Sequence, residues 1–461
     1  MTTRRRCSSE SAAPRGPELD PFPGPIDEGR TMATDTSGPP TVAVPAGQPA
    51  TALPATSHGA LVSFIRSRPG WTRQQLLAAT GLSRTTLFDR LDALFQHGYV
   101  FQDGSAPAGA GGRGPGRRSE LLRWDTRGRV VLVLDLGQTH ARICVTTVGG
   151  GSQRMRDVAI DIDTDAPGYL AQVTEIGDVL LRAGTDETLI GVALGIPGPV
   201  DPGTGVLGTS TTMPRWEGYP VSESLRERWG VPVVIENDAR AFALGESSVI
   251  GGDRSVLAIK YATGIGAGIV DTGHVLEGSD GAAGDIGHVR ISDDGPVCTC
   301  GRRGCLAAWA SGHALIRRLA ETGVRDLKDI TERVAAGDPV VCAAVDDAAA
   351  RLSRVLATVV AAVNPDNLVL GGSLGRLPRV VARIDALIRE DVTERARRHL
   401  VVGAAHLGAD GAVVGLTRKV VDLVYDPAVI DAAIAAGGAE RHAGVAGPAD
   451  PVRPGAEHAP A

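Results

Sequence analysis

Val130-Val131-Leu132-Val133-Leu134-Asp135-Leu136-Gly137-Gln138-Thr139 is the stretch that decides the fold. An unbroken aliphatic run of this kind predicts a strand buried on both faces, because a strand with one wet face would alternate. An acid at the end of the strand and a glycine turn straight after it put a carboxylate and approachable backbone N–H groups at one strand end, an arrangement suited to phosphates. A second strand-like run, residues 256–261, leads into Ala262-Thr263-Gly264-Ile265-Gly266-Ala267-Gly268. Each glycine turn alone is common in α/β proteins; two of them following strands predict two similar halves. The phosphate-binding candidates are Asp135, Gly137, Thr139, Thr263, Gly264 and Gly266.

Outward from these motifs the pattern alternates. Residues 141–148, 155–162, 189–194, 231–235 and 368–370 read as strands, and 239–247, 341–363 and 378–399 as helices, which is an α/β pattern with helices covering sheets. Glu236-Asn237-Asp238-Ala239 closes the 231–235 strand and presents an amide and a carboxylate at its end. There Asp238 is placed to accept a hydroxyl proton. The alternative is a helix N-cap, a role both Asn and Asp fill at such junctions.

His288 is followed by Cys298-Thr299-Cys300-Gly301-Arg302-Arg303-Gly304-Cys305. One imidazole and three thiolates within the loop 288–305 satisfy the tetrahedral preference of zinc with no spare position, so His288, Cys298, Cys300 and Cys305 are expected to hold a structural ion. Cys7, Cys144 and Cys342 read as ordinary thiols, and six cysteines in 461 residues are too few for a disulfide scaffold.

Ahead of the α/β unit, residues 58–124 read as three short helices and a hairpin. The second and third helices, at 73–79 and 83–95, are joined by the tight turn Thr80-Gly81-Leu82, a helix-turn-helix pattern. In the third helix Ser83 is the cap, Leu87, Leu91 and Leu94 form the apolar stripe, and the first turn is polar. That division suits a helix that docks by one face and reads base edges with its N-terminal side chains, here Ser83, Arg84, Thr85, Thr86 and Arg90. A following hairpin, 98–101 against 119–124, has the tip Gly112-Arg113-Gly114-Pro115-Gly116-Arg117-Arg118. Arg113, Arg117 and Arg118 are placed there to meet phosphates or enter a narrow minor groove. The segment 58–124 carries nine Arg against three Asp and one Glu. The competing reading is a small helical module for protein contacts, with a basic linker.

That local excess stands out because the whole chain has a formal charge of −6 and exerts no global pull on nucleic acid. Its basic residues are nearly all Arg, with Lys only at Lys260, Lys328 and Lys419, a bias we attribute to a GC-rich genome. Residues 1–57 and 428–461 are rich in Ala, Gly and Pro without apolar periodicity and are expected to be a disordered leader and tail, although 427–436 has the makings of one more helical turn. Arg4 to Arg6 are followed by no apolar signal region, and no run of about 18 apolar residues occurs. A cytoplasmic protein without membrane contact is expected.

Taken in order, the Asp135 motif, Gly195-Ile196-Pro197-Gly198-Pro199-Val200-Asp201, the Glu236 motif, Gly284-Asp285-Ile286-Gly287-His288, the Cys298 motif, and Asn364-Pro365-Asp366 leading to Leu370-Gly371-Gly372 resemble the ROK family of repressors and sugar kinases. The resemblance covers nearly all of residues 129–426, within a sugar-kinase-like domain expected over 125–427. It implies an actin-like two-lobed α/β sugar-kinase fold, here preceded by a small winged helix-turn-helix domain, with sugar in the interlobe cleft and zinc bracing the loop of His288. Sugar contacts would fall on Asn237, Asp238, Asp285 and His288. Two departures are evident: kinases of the family usually carry Glu at the position of Asp285 and a further sugar-binding Glu at the position of Ala307.

The winged helix joined to such a domain favours a sugar-responsive transcriptional regulator, a repressor, of carbohydrate genes, acting as a homodimer or tetramer on operator DNA. The rival reading is an active ATP-dependent hexose kinase with Asp238 as base and ATP with Mg in the cleft. Asp135, Gly264, Gly266 and Asp238 speak for it; the winged helix and Ala307 speak against it. A regulator that senses a protein partner is a third.

Overall fold

Ser57, Thr72 and Ser83 each start a helix by accepting a backbone N–H of its first turn: α1 (His58–Arg66), α2 (Arg73–Thr80) and α3 (Arg84–Gln96). Gly81, at φ +67°, ends α2 in the left-handed region and turns the chain sharply into α3. Leu61, Val62, Ile65, Leu76, Leu87, Leu91 and Leu94 fill the space between the three helices. Strands β1 (Val100–Ser105) and β2 (Glu120–Trp124) then pair antiparallel, giving the winged helix-turn-helix expected. The computed structural model describes residues 57–105, 120–161, 164–201, 205–208 and 213–436. Arg113, Arg117 and Arg118, the leader through residue 56 and the tail from 437 lie outside the described residues.

The rest is two halves with one topology. The first sheet contains β3 (Arg129–Leu136), β4 (His140–Thr147), β5 (Ser152–Ala159), β6 (Thr188–Ile196) and β7 (Val233–Asn237), in the order β5-β4-β3-β6-β7. Its β3–β4 and β4–β5 pairs are antiparallel, and β3–β6 and β6–β7 are parallel. Helices α4 (Ala166–Arg182) and α5 (Val221–Trp229) cover one face. From β7 the chain enters α6 (Asp238–Ile250) and the second sheet, made of β8 (Val256–Tyr261), β9 (Ile265–Asp271), β10 (His274–Val275), β11 (Asn367–Gly371) and β12 (Val401–Ala404). Its order, β10-β9-β8-β11-β12, and its pattern of antiparallel and parallel pairs repeat the first sheet. The outer face of this sheet is covered by α7 (Leu306–Ala310), α8 (Gly312–Arg318), α9 (Leu327–Ala335), α10 (Pro339–Val363), α11 (Gly372–Gly375), α12 (Pro378–Asp391) and α13 (Glu394–Arg397). The last helices are α14 (Gly411–Val424) and α15 (Pro427–Ala435).

The halves interlock by exchanging helices. Helix α6 leaves the first sheet and packs on β8 and β9, while α14 leaves the second sheet and packs on β3 and β6. The two helices cross in backbone contact: a Cβ on Gly245 would fall 1.9 Å from Gly411 O, and one on Gly415 1.9 Å from Ala241 O. No residue but glycine fits there. This is the actin-like two-lobed α/β layout.

Three expectations change. The turn at 262–268 is shorter than its glycines suggest, because Gly266 and Gly268 lie in β9, where a side chain at Gly268 would strike Ala243 Cβ at 2.5 Å. The helix foreseen over 378–399 breaks at Val392, which is extended, and Thr393 caps a new short helix. The tail does not begin at 428: Asp426 caps α15, whose Ile430 is fully buried against the N-terminal unit.

Candidate functional site

Between the halves lies a cleft of about 710 Å³. Gly137, Thr139, Asn237, Asp238, Thr263, Gly264, Gly266, Asp285 and His288 all line it. Asp135 sits beneath, with its Oδ1 buried and without a hydrogen-bond partner among the described residues. The two glycine turns face each other, since a Cβ on Gly264 would lie 3.7 Å from the Gln138 amide nitrogen. Ala307, the position where a further carboxylate would stand in a kinase, also lines the wall.

The junction of β7 and α6 divides its labour. Asn237 is the helix cap, its Oδ1 accepting from Ala239 N at 3.0 Å and Arg240 N at 3.2 Å, while its Nδ2 donates to Gly198 O at 3.0 Å. Asp238 is thereby left to face the cleft, where Lys260 Nζ donates to its Oδ2 at 2.8 Å. Burial pushes the Asp135 carboxyl up, opposed by the Lys260 charge and reinforced by that of Asp238. Burial works to lower the Lys260 ammonium, but Asp238 and Asp135 together hold it above the usual lysine range.

Behind this face is a buried ionic knot. Glu236, 2% exposed, accepts from Arg240 Nε at 2.7 Å through Oε1 and pairs with Lys419 Nζ at 2.7 Å through Oε2. Arg240 also donates to Gly281 O, and Lys419 to Glu277. Strand β7, helix α6, the loop after β10 and helix α14 are thus tied at one point. Sequence reading overlooked Lys260 and Lys419. In a chain whose cations are nearly all Arg, one of its three lysines holds a cleft carboxylate and another the buried carboxylate behind it, and that rarity was the available signal.

His288, Cys298, Cys300 and Cys305 bring their ligand atoms within 4.8 Å of one another. Tetrahedral bonds to zinc require roughly 3.8 Å between sulfurs and roughly 3.5 Å from sulfur to imidazole nitrogen. The Cys300–Cys305 sulfurs are 3.7 Å apart, and His288 Nδ1 lies 3.4 Å from Cys298 Sγ, so the donor set fits the ion. With Nδ1 turned to the cysteines, His288 Nε2 faces the cleft, 4.0 Å from Asp285 Oδ1.

On the N-terminal unit, Arg84 and Thr85 are exposed at the start of α3, while the Ser83 and Thr86 hydroxyls are 2.8 Å apart within the cap; Arg90 is half-buried. Phe88, unremarked in the sequence, lies one turn beyond Arg84 with 42% of its surface exposed, and the Arg73 guanidinium is 5.9 Å from its ring centre. An apolar ring on the polar side of α3 breaks the stripe pattern, which was its signal. The unit is packed against the last helices. Tyr425, fully buried at the end of α14, receives Arg129 Nη1 at 3.0 Å and stacks edge-on against Trp124 at 4.8 Å. Gly59 N donates to Asp431 Oδ1 at 2.9 Å, and Arg66 pairs with Asp422 at 3.2 Å. Among the described residues no helix is long and apolar enough to cross a membrane.

The sequence profile of the ROK family matches residues 131–421. The xylose repressor of Bacillus subtilis (strain 168) is 25% identical over 366 residues, covering 77% of this chain and 92% of that protein. Among solved structures, a ROK family transcriptional regulator, a homologue of the E. coli Mlc protein, superposes with TM-score 0.68 at 23% identity, over 82% of this chain and 98% of its own; at that identity the likeness is one of fold. A ROK family glucokinase from Streptomyces griseus, solved with glucose and AMPPNP, superposes with TM-score 0.57 at 27% identity, over 63% of this chain and 98% of its own. The regulators match a longer share of this chain than the kinase does. Matched over more than half its length, with two sheets of one topology around a cleft, the chain belongs to the ROK family.

Proposed function

We propose that this protein is a sugar-responsive transcriptional regulator, a repressor of carbohydrate genes, in which the winged helix reads operator DNA and the cleft binds the effector sugar. The observation that carries this reading is the shared core: Leu61 to Leu122 of the winged helix and Val413 to Ile430 of the last helices belong to one buried cluster with β3 and α6. A movement at the cleft therefore has a solid path to the DNA-reading face. The length of the match to a repressor supports the same conclusion.

In this mechanism the sugar is held by Asn237, Asp238, Asp285 and the Nε2 of His288, with the turns around Asp135, Gly137, Thr139, Thr263, Gly264 and Gly266 forming the phosphate-side wall. His288 Nδ1, Cys298, Cys300 and Cys305 would hold a zinc ion, which would serve as a structural brace for the loop that carries the His288 imidazole to the cleft. Glu236, adjacent to Asn237, hands any closing motion to Lys419 on α14, and Asp422 on that helix and Tyr425 at its end pass it to Arg66 and Trp124 of the winged helix. Ser83, Arg84, Thr85, Thr86 and Arg90 meet the major groove, and Arg113, Arg117 and Arg118 the phosphates. The protein works in the cytoplasm as a homodimer or tetramer on a pseudo-palindromic site. Sugar acts through its differential affinity for the DNA-bound and free arrangements.

The kinase reading keeps Asp238 as base, with ATP and Mg near Asp135. It has the retained carboxylates and the glucokinase neighbour on its side, and Ala307 and the Lys260 contact against it. Fluorescence anisotropy on the protein's own upstream DNA, with xylose, hexoses, amino sugars and their phosphates in turn, tests the regulator. Salt-sensitive binding preferred over unrelated DNA and altered by one sugar is expected. Equal binding to any duplex under every condition would overturn the proposal.

A further inference from the structure

Asp238 at the start of α6 and Lys260 in β8 pair under the glycine turns, and Asp135 at the end of β3 lies close enough to feel both charges. The Lys260 and Asp238 side chains are 27% and 14% exposed and joined at 2.8 Å, while Asp135 Oδ1 is buried without a partner among the described residues. Phosphoryl transfer to a sugar would ask two things of this trio. One carboxylate must take the hydroxyl proton as the oxygen attacks the γ-phosphorus and the nucleoside diphosphate leaves, and a metal–nucleotide complex must settle beside the carboxylates. A lysine ammonium opposes both. It is bonded to the oxygen that would receive the proton, and it repels a divalent ion at short range.

We propose that Lys260 is a positioning residue that converts the cleft from a catalytic to a sensing site, its ammonium paired with Asp238 on the side of the cleft where a metal–nucleotide complex would need a free carboxylate. The inference rests on the reading of the cleft as a sugar pocket, and it identifies what separates recognition from turnover there. The choice of lysine has a physical reason. A compact ammonium on a flexible stem reaches a single carboxylate oxygen, whereas the planar guanidinium this chain uses nearly everywhere else favours two-point contacts and more room. Asn237, whose amide is already fixed by the helix cap and Gly198, stays outside this lock.

The test uses the full chain, with Mn–AMPPNP as probe in titration calorimetry. Wild type is expected to show no binding at millimolar probe. Lys260→Met, which keeps length and burial but removes the charge, should gain affinity by about 100-fold, the scale set by deleting one unit charge a few ångströms from the ion. Asp238→Asn in the Lys260→Met background should abolish the gain. Zinc content and circular dichroism verify that each variant is folded. Wild-type binding of Mn–AMPPNP that Asp238→Asn removes, or wild-type consumption of ATP dependent on any hexose, would overturn the proposal whether or not the variant folds. So would a folded Lys260→Met that gains nothing. Sugar binding by wild type, measured separately, decides the sensor reading: its absence would sink that reading while leaving the exclusion of metal–nucleotide standing.

Discussion

Replacing Lys419 by Met tests both the stability and the signalling role of the ionic knot. Glu236 is 2% exposed and takes one cation on each oxygen, Arg240 on Oε1 and Lys419 on Oε2 at 2.7 Å. Stripping a buried ion of its partner costs ~3–5 kcal/mol when the charge is left alone. Arg240 remains here, so the expected loss is smaller, about 2–3 kcal/mol. At ~2–4 °C per kcal/mol this lowers Tm by roughly 4–12 °C. Burial alone would depress the Lys419 ammonium, but Glu236 and Glu277 hold it above its ordinary value. A cation raised in the folded state stabilises fully below its unfolded pKa of about 10.4 and loses that contribution only as pH rises through the folded value. The gap between wild type and variant should therefore be flat from about pH 6 to about pH 9. Calorimetric melts across that range measure it, and anisotropy with and without effector measures the loss of coupling between sugar and DNA. A Tm within about 1 °C of wild type, or a gap that closes between those pH values, would refute the electrostatic argument.

Protein purified without chelator should carry about one zinc per chain, and Cys305→Ser should lose the metal and lower Tm; an unchanged melt of metal-free protein would remove the structural role. Phe88→Ala should weaken specific DNA binding by about 1–2 kcal/mol, roughly 5- to 30-fold in Kd, through the loss of an apolar contact of the kind a thymine methyl makes, and anisotropy against specific and unrelated duplexes reads the difference. Tyr425→Phe, which deletes the acceptor of the 3.0 Å bond from Arg129, should cost about 1–2 kcal/mol. Tyr425→Ala should cost about 3–5 kcal/mol and expose the base of the winged helix to proteolysis, whereas protease resistance equal to wild type would show that the docking does not depend on it.

What could be read from the chain alone was whatever its neighbours in sequence decide. The buried run at β3 announces itself because both of its faces are covered, and the caps Ser83 and Asn237 act on N–H groups two or three residues away. The four candidate zinc ligands fall within 288–305, so their convergence needs little more than a glycine-rich loop. The helix over 378–399 was misjudged for the same local reason: the pattern continues through Val392, and the extended conformation there is not written in periodicity. Contacts between distant parts of the chain are of another kind. Lys260 meets Asp238 only because β8 runs beside α6, and Lys419 reaches Glu236 only because α14 returns to the first sheet. Arg129 and Tyr425, 296 positions apart, meet each other and then reach the DNA-reading unit, Arg129 donating to Gly98 O at 2.7 Å and Tyr425 stacking on Trp124. Residue type states which charge or ring is available, but the partner that meets it is selected by packing, because burying an ion or a hydroxyl is tolerable only where the fold brings its complement to the same place.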